Sequence, residues 1–185
     1  MKKNFWLVML ALLLTFGMAV VGCDLELPDD ETDKRLNGTW ISNSGDSENF
    51  AEIILNNGNM EVEMTFFGVH SPEYKGTYTT NGGKITNTLT HLYGGGVMGK
   101  FNSYAISNYF TDFVPLAENT WYTKTDILAK INAATPKDTI PDARSEAIAD
   151  LDEIFQPHTQ DYSINGDTLT LTYEDGEIET YTRKN

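Results

Sequence analysis

From about residue 38 onward, apolar and polar residues alternate with a period of two, and short turn motifs interrupt the alternation. Met60, Val62, Met64 and Phe66 share one phase, with Glu61, Glu63 and Thr65 in the other. Tyr74, Gly76 and Tyr78 alternate with Lys75, Thr77 and Thr79, and Leu169, Leu171 and Tyr173 alternate with Thr168, Thr170 and Thr172. Successive side chains of a strand point to opposite faces, so these runs read as strands with one buried and one wet face. That is the mark of an antiparallel sheet. Asn57-Gly58, Asn81-Gly82-Gly83, Asn165-Gly166-Asp167 and Asp175-Gly176 separate the runs and supply the positive φ angles that tight hairpins need. The pattern predicts eight strands, at about 38–43, 50–56, 59–67, 73–80, 84–92, 160–165, 168–174 and 177–183. Eight strands joined mostly by hairpins can close into an antiparallel up-and-down barrel, which leaves no exposed edge. An open sheet or a sandwich is the alternative.

Residues 93–157 break the pattern between the fifth and sixth strands. Tyr93-Gly94-Gly95-Gly96 reads as a flexible exit, and no helix is expected directly after it that could bind phosphate. An aromatic stretch follows, with Phe101, Tyr104, Tyr109, Phe110, Phe113, Trp121 and Tyr122. Thr125 or Asp126 is placed to cap a helix to about Ala134, with Ile127, Leu128 and Ile131 on one side. Pro136 and Pro141 break the chain. Asp142 is placed to cap a second helix to about Phe155, with Ile148, Leu151 and Phe155 at helical spacing. Insertions this long are usually functional or disordered. The aromatic content argues for packing, either as a cover over an apolar barrel opening or as a lid or partner-binding surface.

The N-terminus has a different pattern. Lys2 and Lys3 precede an almost continuous apolar run at 5–21. This is the layout of an export signal, although the run is close to the length of a membrane-spanning helix. The residues that follow decide between the two. Val20-Val21-Gly22-Cys23 places an apolar residue and small residues before the only cysteine of the chain. It resembles the lipobox of bacterial lipoproteins, in which the thiol is alkylated by a diacylglycerol and the peptide is cut just before it. The resemblance implies a signal at 1–22 and lipidation at Cys23. The membrane is then a partner through the lipid anchor, and the chain belongs to the cell envelope, with inner or outer membrane left open. Residues 23–35 then form the lipidated cysteine and an acidic, solvated tether. Twelve extended residues reach at most about 40 Å. Residues 36–185 form the barrel domain.

Of the 185 residues, about 160 remain after such a signal, enough for one domain with a sizeable core. Loss of Lys2 and Lys3 takes the formal charge from −14 to −16. That balance argues against nucleic acid as a partner and against a polybasic grip on anionic lipid. A single cysteine excludes an intramolecular disulfide, so the core must hold the fold.

Asn37-Gly38-Thr39-Trp40 resembles the Gly-x-Trp that opens the first strand of lipocalins. Tyr74-Lys75-Gly76-Thr77-Tyr78 and the segment Tyr162-Ser163-Ile164-Asn165-Gly166-Asp167-Thr168-Leu169 are similar to recurring segments of lipocalin-like bacterial lipoproteins. The resemblance covers about 38–92 and 160–184. It implies that Trp40 plugs the closed end of the barrel and that Arg183, on the last strand, packs across it. A cation over an indole face is worth about 0.5–2 kcal/mol. The chain departs from the family's usual pattern in its long insertion and in having no helix after the last strand. The resemblance also implies an interior that can hold a small molecule. Met60, Val62, Met64, Phe66, Tyr78, Ile85, Leu89, Leu169, Leu171 and Tyr173 are the candidate lining. Such side chains either fill a small barrel or line a cavity suited to an apolar ligand with one polar end.

No pattern of catalytic chemistry is present. His70, His91 and His158 lack metal-ligand spacing. There is no nucleophile elbow, Walker loop or His-Glu-x-x-His. Asp150, Asp152 and Glu153 fall on a helix and lack the glycine of a Ca²⁺ loop. No enzyme activity, metal or cofactor is expected. Two functions remain open. One is a lipid-anchored binding module for a small apolar or amphipathic ligand. The other is a non-catalytic interaction or structural lipoprotein that uses the insertion to bind an envelope protein.

Overall fold

A computed structural model describes residues 32–43, 48–111 and 114–184. The signal expected at 1–22, Cys23 and the expected tether through residue 31 lie outside the described residues, as does Phe113. Among the described residues nine strands form one sheet: β1 (Gly38–Ser42), β2 (Phe50–Asn56), β3 (Asn59–Phe66), β4 (Val69–Asn81), β5 (Lys84–Tyr93), β6 (Trp121–Thr123), β7 (His158–Asn165), β8 (Thr168–Thr172) and β9 (Ile178–Arg183). Eight of them, all but β6, close an antiparallel barrel in up-and-down order. The closing pair is β1 with β9, with Trp40 opposite Arg183 and Ser42 opposite Tyr181. The short β6 pairs only with the end of β5, Leu92 facing Tyr122, where β5 runs past its pairing with β7.

The strand bounds follow the alternation closely, except that β4 begins at Val69. Val62 pairs with Tyr74 but Glu63 pairs with Pro72, so Glu73 is an extra residue that bulges from β4. A bulge reverses the phase of what precedes it, which hid the first part of β4 from a period-two reading. It also tolerates Pro72 inside a strand.

One end of the barrel is sealed by the segment leading into β1. Residues 34–36 form a 3-10 turn, and Leu36 is fully buried beneath it. The indole N–H of Trp40 donates to the Leu36 carbonyl at 2.7 Å. The Asp33 N–H donates to Thr80 Oγ1, and its carboxylate accepts from the Tyr162 hydroxyl, both at 2.9 Å. Hydrogen bonding from Arg35 holds the Asp33 carboxyl below its ordinary range, against the opposing effect of burial. Asp33 to Arg35, expected in the solvated tether, are therefore part of the barrel end. Arg183 lies across Trp40, its Cζ 4.1 Å from the ring centre. Its two terminal nitrogens donate to the carbonyls of Asn37 and Arg35, each at 2.6 Å. Gly38 has φ +139°, and a Cβ there would stand 2.6 Å from Arg183 Nη1. The glycine of Gly-x-Trp thus makes room for the guanidinium as well as for the backbone angle.

The described residues of the insertion form three helices: α1 (Val97–Ser107), α2 (Lys124–Ala133) and α3 (Ala143–Phe155). The second and third match the predicted pair. Thr123 caps α2 in a reciprocal box with Asp126, two residues before the earlier of the expected caps. Asp142 stands at the start of α3, but its side chain makes no capping bond. Helix α1 corrects two expectations. The glycines at 94–96 lead directly into a helix, and they pack tightly. A Cβ at Gly94 would meet the Ala117 carbonyl oxygen, one at Gly96 the Glu73 carboxylate, and one at Gly99 the Tyr93 carbonyl oxygen. The N-terminus of α1 is already occupied by an internal anion. Glu73, fully buried, accepts from the N–H groups of Val97 at 2.8 Å and Met98 at 2.7 Å, and from Ser71 Oγ at 2.9 Å. This is the place a phosphate would take.

Two apolar cores result. The first fills the sealed half of the barrel and contains Leu36, Trp40, Leu55, Tyr78, Ile85, Leu169 and Tyr181. The second belongs to the insertion and contains Leu92, Ile106, Phe110, Tyr122, Ile127, Ile131 and Leu151. Tyr74 packs against both, and the strand residue Leu89 packs against the second. The insertion core therefore continues the barrel interior on the β4–β5 side.

Candidate functional site

The period of each strand places the predicted lining as follows. Met60, Val62, Tyr78, Ile85, Leu169 and Leu171 are buried together in the barrel core. Tyr173 is half-buried against the same cluster. Leu89 is half-buried against the insertion core. Met64 and Phe66 are partly exposed and belong to neither cluster. At their level the register shift beside Glu63 and the turn through Phe67, with φ +51°, carry the chain onto the rim. Phe66 meets Phe67 edge-on there, with ring centres 4.5 Å apart. Phe67, Val69 and Ile178 are exposed at 72%, 68% and 65%, an apolar fringe on the hairpins of the unsealed end.

The barrel interior is not uniformly apolar. Glu179, Tyr181 and Arg183 occupy alternate positions of β9, and Tyr173 ends the alternation of β8. The hydroxyls of Tyr173 and Tyr181 both donate to Glu179 Oε2, at 2.8 Å and 2.6 Å. Burial, and then the charge of Glu179, push the Tyr173 and Tyr74 hydroxyls above their ordinary range. Burial chiefly does the same to Tyr181, helped by Tyr173 and Glu179. The phenols therefore stay protonated at any ordinary pH, and those of Tyr173 and Tyr181 act as donors to the carboxylate. On β5, Asn87 shares the phase of Ile85 and Leu89, opposite Tyr78 on one side and His158 on the other. Its Oδ1 is buried with no hydrogen-bond partner among the described residues.

The candidate lining expected from the alternation holds only apolar residues and tyrosine, and the Glu179 carboxylate is outside it although the sequence carries its signal. Once Arg183 is assigned to the face of Trp40, the strand period puts Glu179 on that face as well. Tyr74 belongs to the alternation of its strand but not to the candidate lining.

Other chemistry-bearing residues are engaged elsewhere. His70 bridges Thr65 and Glu63, each at 3.0 Å. His91 contacts Thr90, and His158 contacts the Glu153 carbonyl. Asp150 accepts from the Tyr109 hydroxyl, which that bond pushes up to about 12, and Asp152 pairs with Lys124 at 2.8 Å. Among the described residues no group of three or more His, Cys, Asp or Glu is placed to hold a metal ion. A surface cleft of about 210 Å³ in the insertion is lined by Gly94, Lys100, Ser103, Leu116 and Glu118, where Lys100 and Glu118 pair at 3.4 Å.

No protein-family model matches the chain, and neither the curated proteins nor the solved structures contain a match.

Proposed function

We propose that the chain is a lipid-anchored lipoprotein of a bacterial cell envelope whose lipocalin-like barrel binds one small apolar or amphipathic molecule. The observation that carries the reading is the contrast between the two halves of the closed barrel. The sealed half is packed with fully buried side chains. The inward positions of the other half, Met64, Asn87, Leu89, Tyr173 and Glu179, keep accessible surface and mix apolar and polar groups. That combination suits an apolar guest held in place by a few polar contacts. Native mass spectrometry of protein purified without detergent should show a bound molecule of a few hundred daltons that organic solvent strips away. A native mass equal to that of the same preparation after denaturation, with no uptake of an environment-sensitive apolar dye, overturns the reading.

The anchor rests on the N-terminal pattern alone and has its own test. Cys23→Ser should abolish incorporation of a palmitate analogue and leave an uncut or soluble form. Label persisting on the serine variant refutes the lipobox assignment. The rival reading, an envelope protein captured by the insertion, draws less support from the fold. Phe110 and Tyr122, two of the aromatic residues that motivated it, are buried in the insertion's own core.

A further inference from the structure

The open half of the barrel has a chemical preference written into it. Glu179 sits on the inner face of β9, and its Oε2 is occupied by two tyrosine hydroxyls. Its Oε1 has no hydrogen-bond partner among the described residues, and none of their ion pairs includes Glu179. The nearest inner-face cation on the same strand, Arg183, is turned to the opposite end, where Trp40 and two backbone carbonyls hold it. The other unsatisfied polar atom on the inner face, Asn87 Oδ1, is also an acceptor. Glu179 Oε1 and Asn87 Oδ1 are thus two acceptors on the inner face that a ligand's hydrogen-bond donor could meet.

The walls point the same way. The hydroxyls of Tyr173 and Tyr181 meet the carboxylate, and Tyr74 stands on the inner face of β4 opposite Val62. A carboxylate held by two phenols, opposite apolar Leu171 and on a face that also carries Val62 and Tyr74, is chemistry suited to an ammonium with a hydrocarbon part. The ammonium would take Oε1 as its anionic partner, and ring faces attract a cation. A fatty acid or a phospholipid phosphate would instead bring a second negative charge beside Glu179 in a poorly solvated space, which is costly. The chain's net charge of −14 adds a field that draws cations toward it.

We infer that the barrel selects an amphipathic amine, with its ammonium on Glu179 and its apolar part against Tyr74, Leu89 and the insertion core. The inference rests on the proposed binding function and goes further by fixing the charge of the ligand's polar end. The test compares octylamine, octanol and octanoate on the full-length protein by isothermal titration and competition with an apolar dye. Octylamine should bind at least tenfold more tightly than octanoate, with octanol between them. Glu179→Gln keeps an oxygen that accepts from both phenols and removes the charge. It should weaken octylamine about tenfold or more and weaken octanol by a much smaller factor. If octanol binds but octanoate equals or exceeds octylamine in the native protein, the inference fails while the binding function stands. The same holds if Glu179→Gln folds and leaves octylamine unaffected. If none of the three binds, both fail.

Discussion

Trp40→Ala is expected to destabilise the barrel by about 3–5 kcal/mol, the range for a fully buried large aromatic. Trp40 is completely inaccessible, and three structures converge on it. Leu36 takes the indole hydrogen bond, Arg183 lies over the ring, and β1 pairs through Trp40 with β9 to close the barrel. Removing the ring leaves a cavity where the sheet closes and strands the Arg183 guanidinium over it. Arg183→Ala should cost less, about 1–2 kcal/mol, because the backbone carbonyls it satisfies lie near the surface. The two residues touch, so a double-mutant cycle in urea should return a clear coupling energy. Additive losses would mean that ring and guanidinium are neighbours without being partners.

Glu73→Ala is expected to be the second large effect, about 2–4 kcal/mol. The change leaves the partly buried N–H groups of Val97 and Met98 at the start of α1 without their acceptor, and a fully buried group so left costs about 1–3 kcal/mol. It also removes the anion that complements the helix dipole. Glu73 binds the barrel wall to the insertion, so the loss should be uneven. Amide exchange should accelerate most in α1 and in the end of β5, and least in β1, β8 and β9. Glu73→Gln, which retains a carbonyl acceptor, should fall well short of the alanine variant in urea denaturation. Burial pushes the Glu73 carboxyl up from its ordinary value, more than the bonds from Met98, Val97 and Ser71 pull it down. The charged acceptor is thus kept at some cost in desolvation, and equal losses for Ala and Gln would show that charge, not hydrogen bonding, holds the helix.

The barrel was legible because its signals are local. A strand shows itself within about six residues, and an Asn-Gly turn within two. The contact of Trp40 with Arg183 was visible for a topological reason, since a closed barrel must join its first strand to its last. Helix α1 was not legible. Gly99, Asn102 and Ser103 are poor helix formers in isolation, and the group that organises its first turn, Glu73, lies 24 residues earlier in the chain. The same glutamate occupies the bulge that disguised the start of β4, so one residue accounts for both misreadings. The candidate site was half legible. The alternation identified which positions face inward, but choosing only the apolar ones left out Glu179 and Asn87.

The chain enters the barrel at its stoppered end. Asp33 is fixed beside Thr80 and Tyr162, close to the Trp40 plug, whereas Tyr173 and Glu179 stand toward the other end of β8 and β9. Ten residues join Cys23 to Asp33, a reach of at most about 35 Å. A lipid on Cys23, as proposed, would moor the molecule by its base, like a cup on a short stem with its rim turned away from the bilayer. A guest would then arrive from the aqueous side instead of sliding in from the leaflet below. That route favours molecules that spend time dissolved in water, as a charged amine does and a neutral membrane lipid does not.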